Sequence, residues 1–198
     1  MYVDLEMMEL FEELESMITP KTVFVCIGSK NAVFDSFGPI CGTLLQKKGV
    51  PCYGTKKDMV NAATMEYKLN QIYEKDKIDN EDIISIDACV TRSEEKINGI
   101  EIRDKGIRPG AAVGHFFPVV GEKSIVMYTL TGLELRDTVA FYNLYGIGSF
   151  VGKRCDPADR KIIQVYADKL TDLIAEIYHE VCLVPVIWLH WYWDSVCP

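Results

Sequence analysis

The chain has 198 residues, a net charge of −8 and an ordinary globular composition, 48% hydrophobic and 25% charged. That length fits one α/β domain over residues 1–198 with a full core. The acidic balance, with no basic block longer than two residues, argues against nucleic acid held by phosphate neutralisation. Seven cysteines make an odd count without framework spacing. Cys26, Cys41, Cys52 and Cys89 lie in apolar stretches and read as reduced, buried thiols of an intracellular, cytoplasmic protein. No CxxC or HxxxH pair is present, so no metal and no cofactor are expected.

The N-terminal "MYVDLEMMELFEELESMI" is acidic and amphipathic, unlike a signal peptide. Leu5, Met8, Phe11, Met17 and Ile18 follow helical spacing, so residues 1–19 are expected as a helix packed on a core of residues 20–180. "KTVFVCI" reads as a buried strand of a parallel sheet. A helix follows from near Ser36 through "GPICGTLLQKKG", with Pro39 tolerated in its first turn. A short strand is expected near "VPCYG", and a helix over "VNAATMEYKLNQIYEKD" with Ala63, Leu69, Ile72 and Tyr73 on one face. "DIISIDACV" is a second buried strand. "KINGIEIRDKGIRPG" reads as a hairpin turning at Asn98-Gly99. "SIVMYTLTG" is a further strand and "LELRDTVAFYNLYGIGSFV" a helix broken by glycines. "DPADRKIIQVYADKLTDLIAEIYHE" is an amphipathic helix with Asp156 as N-cap and Pro157 at its first position. Residues 181–198 hold all three tryptophans and stand apart. They read as a segment packing on the core or a partner, as a peripheral membrane contact, or as an altered end. They are too short and too interrupted for a membrane span. The alternation of strands and helices gives an α/β class with helices on both sheet faces.

Two aspartates follow or end apolar strands. Asp35 stands a short loop beyond "VFVCIG", and Asp87 lies inside "IISIDACV". Ligands of open α/β sheets collect outside the carboxyl ends of the strands. If the two strands are neighbours, both carboxylates reach one cleft and can share a proton. One then serves as base on a water while the other, protonated, polarises a carbonyl. The alternatives are plain: Asp35 as a helix N-cap, and Asp87 bonded to loop amides without chemistry.

"CIGSKNAVFDSFGPICG", "SIDACVTRSEEKINGIEIRDKGIRPGAAVG" and "PVVGEKSIVMYTLTG" together resemble the sporulation protein family typified by YyaC, a relative of the germination protease of spore-forming Firmicutes. The likeness covers residues 20 to 178 or so. It implies a three-layer α/β/α sandwich of the phosphorylase/hydrolase-like type, shared with hydrogenase maturation proteases. It implies an atypical aspartic peptidase whose catalytic pair falls on Asp35 and Asp87, with a spore protein or peptide as substrate. The first loop departs from the family's: Ser29, Lys30 and Asn31 replace an Asp-Arg pair, and Phe34 replaces a glycine, which points to narrower access or a desolvated Asp35. No histidine opens "TLTGLE", where the hydrogenase maturation proteases carry a nickel ligand, and His115 reads as a polar loop residue.

Other groups offer substrate contacts. Arg92 can hold a carboxylate or make a surface salt bridge. Arg108 and Gly110 open "RPGAAVG", whose small residues admit a peptide backbone or simply form a tight loop. Thr131 and Gly132 either line the cleft or make a strand-to-helix turn. The leading expectation is an aspartic-type endopeptidase. The alternative is a non-enzymatic peptide- or protein-binding module on the same fold. A third, weaker reading is a small-ligand hydrolase or phosphorylase on the same scaffold, against which stands the lack of a Gly-rich phosphate loop or a basic cluster at a strand end. The sequence leaves homo-oligomerisation open.

Overall fold

The structure, a computed structural model, describes residues 5–111, 117–134 and 157–196. Its centre is built from the runs with apolar residues on both sides. β1 (Val23–Cys26) and β3 (Ile83–Thr91) pair in parallel from Val23↔Ile83 to Cys26↔Ile86. A strand flanked by strands and covered on both faces can be apolar throughout, and Phe24, Val25 and Cys26 are fully buried. β2 (Cys52–Tyr53) joins the other side of β1, and β5 (Lys123–Thr131) pairs in parallel with β3. β4 (Ile100–Arg103) runs antiparallel to β5. Among the described residues the result is a five-stranded mixed sheet in the order β2-β1-β3-β5-β4.

The expected hairpin at Asn98-Gly99 is therefore corrected. Asn98 does adopt a left-handed φ of 68°, but the strands on its two sides do not pair with each other. The Asn98 amide donates to the Tyr128 carbonyl, and the Tyr128 amide to the Gly99 carbonyl. The chain leaves β3, passes over the position β5 takes, and pairs with β5 from beyond. A turn signal specifies local backbone, and pairing is decided by which edge offers the better apolar seam.

Helices cover both faces. α1 (Leu5–Met17), α2 (Phe37–Lys47) and the long α4 (Pro157–Val196) bury Leu14, Phe37, Leu45, Leu170 and Ile174 against Phe24, Ile84, Ile86 and Met127. α3 (Met65–Asn70), with the wider π turn Gln71–Lys75 after it, buries Met65, Leu69 and Ile72 against Val25, Ile83 and Val126 on the opposite face. Three expectations shift in detail. Met8 is exposed and Leu14 takes the central place in α1, because the stripe that meets the body is set by α4 rather than by α1's own spacing. α3 starts at Met65 and leaves Ala63 exposed, since Thr64 and Asn61 spend their side chains on local turn bonds. α4 runs on through Pro185 to Val196, because a proline removes one amide donor and long helical flanks absorb that loss. The expected helix at 133–151 and the Asp156 cap lie largely outside the described residues. Among the described residues no helix is long and apolar enough to cross a membrane.

α2 sits unusually close to the sheet. A Cβ on Gly38 would collide with the Ile27 carbonyl, and one on Gly42 with the Gly54 carbonyl. In an exposed helix Gly→Ala gains about 1 kcal/mol from propensity. Gly38→Ala is expected instead to cost about 2 kcal/mol or more, because a backbone contact cannot yield as a side chain does. Urea denaturation checks this, and a neutral or stabilised variant would show that α2 is not seated on β1.

Candidate active site

Strand order reverses between β1 and β3. From β1 the chain moves outward to β2 through α2, then returns across β1 to β3 through α3 on the other face. Such a reversal leaves a crevice at the carboxyl ends of the two strands. Asp35 and Asp87 both border it.

Asp35 arrives there through a tight local fold. β1 ends, Ile27 donates its amide to Ile86, and Gly28 turns with φ +134°. That angle favours glycine, and a Cβ there would meet the Asp35 carbonyl. The Ser29 amide donates to that carbonyl at 2.9 Å, closing the loop on itself. Val33–Asp35 form a 3-10 turn that leads into α2. The N-cap reading of Asp35 is corrected: Ser36 holds the cap position, makes no side-chain cap bond, and donates its hydroxyl to the Val33 carbonyl at 2.7 Å. The Thr129 hydroxyl of β5 donates to the Phe34 carbonyl at 2.7 Å, tying this loop to the strand on the far side of β3.

Asp87 is placed by strand alternation. Ile84 and Ile86 face α2 and α4, so Ile83, Ser85, Asp87 and Cys89 face the α3 side. β1 stops pairing at Ile86, one residue before Asp87. The carboxylate, 8% exposed, accepts the Ala88 amide at 2.7 Å. A register shift between Cys89 and Val90 re-aims the strand just beyond it.

Both carboxyls line one cavity of about 520 Å³, walled mainly by apolar groups that include Phe34, Met65, Ile107, Phe117 and Leu130. Burial pushes the Asp35 carboxyl from its ordinary 3.8 up to about 7, against the opposing pull of the Ser29 backbone. Burial also raises Asp87 well above the usual carboxylate range, and the nearby Asp35 charge raises it further. The two groups thus feel each other across the β1–β3 seam. Both carboxyls therefore hold their protons to higher pH than a solvated acid does, the direction that general acid and base chemistry near neutral pH requires.

Sequence reasoning missed the polar wall of this cavity. Arg103 lines it from β4. Its Nε donates to Glu101 at 2.8 Å and its Nη2 to the Tyr128 hydroxyl at 2.6 Å. The signal was present in "IEIR": Ile100 and Ile102 pack into the core, so Glu101 and Arg103 must share the other face. Cys89 also lines the cavity, its thiol raised to about 11 by burial and by Asp87. Cys26 and Cys41 are buried, Cys52 and Cys89 half-buried, and all four are free.

Of the other expected contacts, Arg108 and Gly110 border the cavity. Arg92 is exposed and lies off it. Thr131 and Gly132 do not border it either; Thr129 and Leu130 do. The Thr131 hydroxyl accepts the Glu134 amide at 3.3 Å while the Glu134 carboxylate accepts the Thr131 amide at 2.8 Å, a reciprocal helix-start pair. His115 and residues 112–114 lie outside the described residues. Among the described residues no group of three or more histidine, cysteine or acidic side chains is arranged to hold a metal ion.

Residues 2–134 match the model of the family described as "Protein of unknown function (DUF1256)". The chain is also similar to the uncharacterized protein YyaC of Bacillus subtilis (strain 168), 36% identical over 106 residues. That match takes in 52% of this chain and 50% of YyaC, so the chain spans about half the length of the curated relative it matches.

The raised Asp35 carboxyl has a thermodynamic signature. As pH rises from about 4 to about 7 the unfolded chain ionises this group first, so the folded protein binds the extra proton. Stability from this group is present below pH 4 and lost by pH 7. Asp35→Asn is therefore expected to gain on the wild type as pH rises through that window, by on the order of 2–4 kcal/mol, with no gain at pH 4. Melting curves at a series of pH values check this; a constant difference would mean that Asp35 is not desolvated.

Proposed function

The chain belongs to the DUF1256 family, and from that premise we propose that it is an atypical aspartic-type endopeptidase. One observation carries the reading: Asp35 and Asp87 border a single cavity, where burial raises both carboxyls and the Asp35 charge raises Asp87 further. The Asp35 carboxylate takes a proton from a water molecule. Asp87, protonated, donates a hydrogen bond to the scissile carbonyl and steadies the charge that develops there. The apolar wall excludes bulk water, which strengthens both interactions. Arg108 and Gly110 border the cavity where an extended peptide would enter.

The finer reading draws on the motifs quoted from the sequence. The sheet with helices on both faces fits the three-layer sandwich of the germination protease and hydrogenase maturation proteases. We place the protein with that protease, acting on a spore protein in a cytoplasmic compartment of a sporulating cell: mother cell, forespore or spore core. Its partner is then a protein or peptide rather than nucleic acid or membrane.

Incubation of the full chain with acid-soluble spore proteins, followed by mass spectrometry, tests this. Cleavage is expected, and Asp35→Asn or Asp87→Asn is expected to lower it about 10²–10⁴-fold with the circular dichroism spectrum unchanged. Peptide capture that survives both substitutions, with no cleavage by the wild type, would mark a binding module instead.

A further inference from the structure

Among the described residues the acids lining the cavity are Asp35 and Asp87, and two guanidiniums, those of Arg103 and Arg108, stand in the same wall. An arginine within reach of a protonated carboxyl ordinarily strips the proton by stabilising the anion. Here Arg103 is engaged elsewhere. Glu101 Oε1 accepts Arg103 Nε at 2.8 Å, and Arg103 Nη2 donates to the Tyr128 hydroxyl at 2.6 Å. That hydroxyl donates in turn to Glu101 Oε2 at 2.8 Å. The three groups close a ring of charge-assisted bonds. Only Nη1 is left toward the cavity, 3.9 Å from the Cys89 sulfur, and Cys89 stands two residues along β3 from Asp87 on the same face.

We propose that Glu101 is a positioning residue for the aspartate pair: it holds the Arg103 guanidinium on itself and on Tyr128, and so keeps that cation off Asp87. This rests on the acid-pair reading above and deepens it. Among the described residues, the charged and titratable groups that line the cavity with Asp87 are Asp35 from the loop before α2, Cys89 on β3, Arg103 on β4 and Arg108 beyond β4, and Glu101 and Tyr128 connect to it through Arg103. Glu101, held well down at about 2 by Arg103, stays ionised wherever the pair titrates. The clamp therefore stays closed while the pair titrates. Without Glu101, Arg103 keeps the Tyr128 hydroxyl and a thiol, and among the described residues the acids lining its cavity are the pair itself.

The test is a carboxyl-carbon NMR titration of the full chain without substrate, with the two signals assigned from Asp35→Asn and Asp87→Asn. In Glu101→Gln the upper titration of the pair is expected to fall by about one pH unit or more. In the double variant Glu101→Gln/Arg103→Leu it is expected to return to the wild-type position. An unchanged titration in Glu101→Gln overturns the proposal. So does a fall that persists in the double variant, which would mean that Glu101 acts through its own charge. Should Glu101→Gln not fold, Tyr128→Phe removes the other anchor without changing charge; its pair must titrate below wild type, and no change there overturns the proposal equally. The readout needs no turnover. A shift that reverses as described in a protein that cleaves nothing would sink the peptidase reading alone, and cleavage with no shift would sink this one alone.

Discussion

Backbone meeting backbone at the end of β1 is the constraint on which the cavity depends. Gly28 turns through a φ that favours glycine, Gly38 lets α2 touch the Ile27 carbonyl, and the Ser29 amide closes on the Asp35 carbonyl. None of these contacts involves a side chain that could relax. They fix the start of α2 relative to β1, and β1 is fixed to β3 by four register pairs. Asp35 thereby inherits its position from the sheet. Thr129 adds a third strand to the same framework through the Phe34 carbonyl. A carboxyl on a loop is ordinarily free to turn toward water. This one is carried by a loop held by main-chain bonds and by the buried Thr129 hydroxyl.

Burying two acids side by side is unfavourable, and the surrounding structure must supply the difference. Desolvation dominates for both: it is the first cause of each raised pKa, ahead of the charge of one aspartate on the other. Hydrogen bonds to the Asp87 carboxylate pull the other way through a single amide, that of Ala88. Had the loop offered several donors, the carboxyls would ionise at ordinary pH and the pair would be a pair of anions. The sparse donor set and the apolar wall are thus parts of one arrangement. The Glu101–Arg103–Tyr128 ring belongs to it as well, because it places a cation in the cavity wall with its charge already answered.

Much of this was legible in the sequence, for identifiable reasons. The strand cores β1, β3 and β5 were readable because they are long apolar runs whose environment is uniform. The neighbourhood of Asp35 and Asp87 followed from strand ends and the rule that ligands gather there. What failed was whatever depended on a partner distant in the chain. The Asn98-Gly99 turn has the conformation its residues prefer, yet its strands pair with β5, a decision made some 25 residues later. Met8 and Leu14 follow helical spacing equally well, and only α4 selects Leu14. Asp35 as a cap was a local reading. Ser36 took the position because the 3-10 turn before α2 adds a residue that spacing cannot show. Arg103 went unnoticed because its meaning lies in Tyr128, 25 positions away.

The order of strands in the chain also bears on how the protein comes to hold its proton. β1 and β3, adjacent in the sheet, are separated by sixty residues at their first register pair, and β2 with α2 and α3 lies between them. Local helices and the β1–α2–β2 unit can form without bringing Asp87 near Asp35. The long-range closure of β1 on β3 is the slow kind of contact, because its loop entropy is spent before its reward arrives. Until that closure each carboxyl titrates as an ordinary solvated acid. The raised proton affinity of the pair is therefore acquired at the step that joins the two halves of the sheet, so the state of the cavity records that this step is complete.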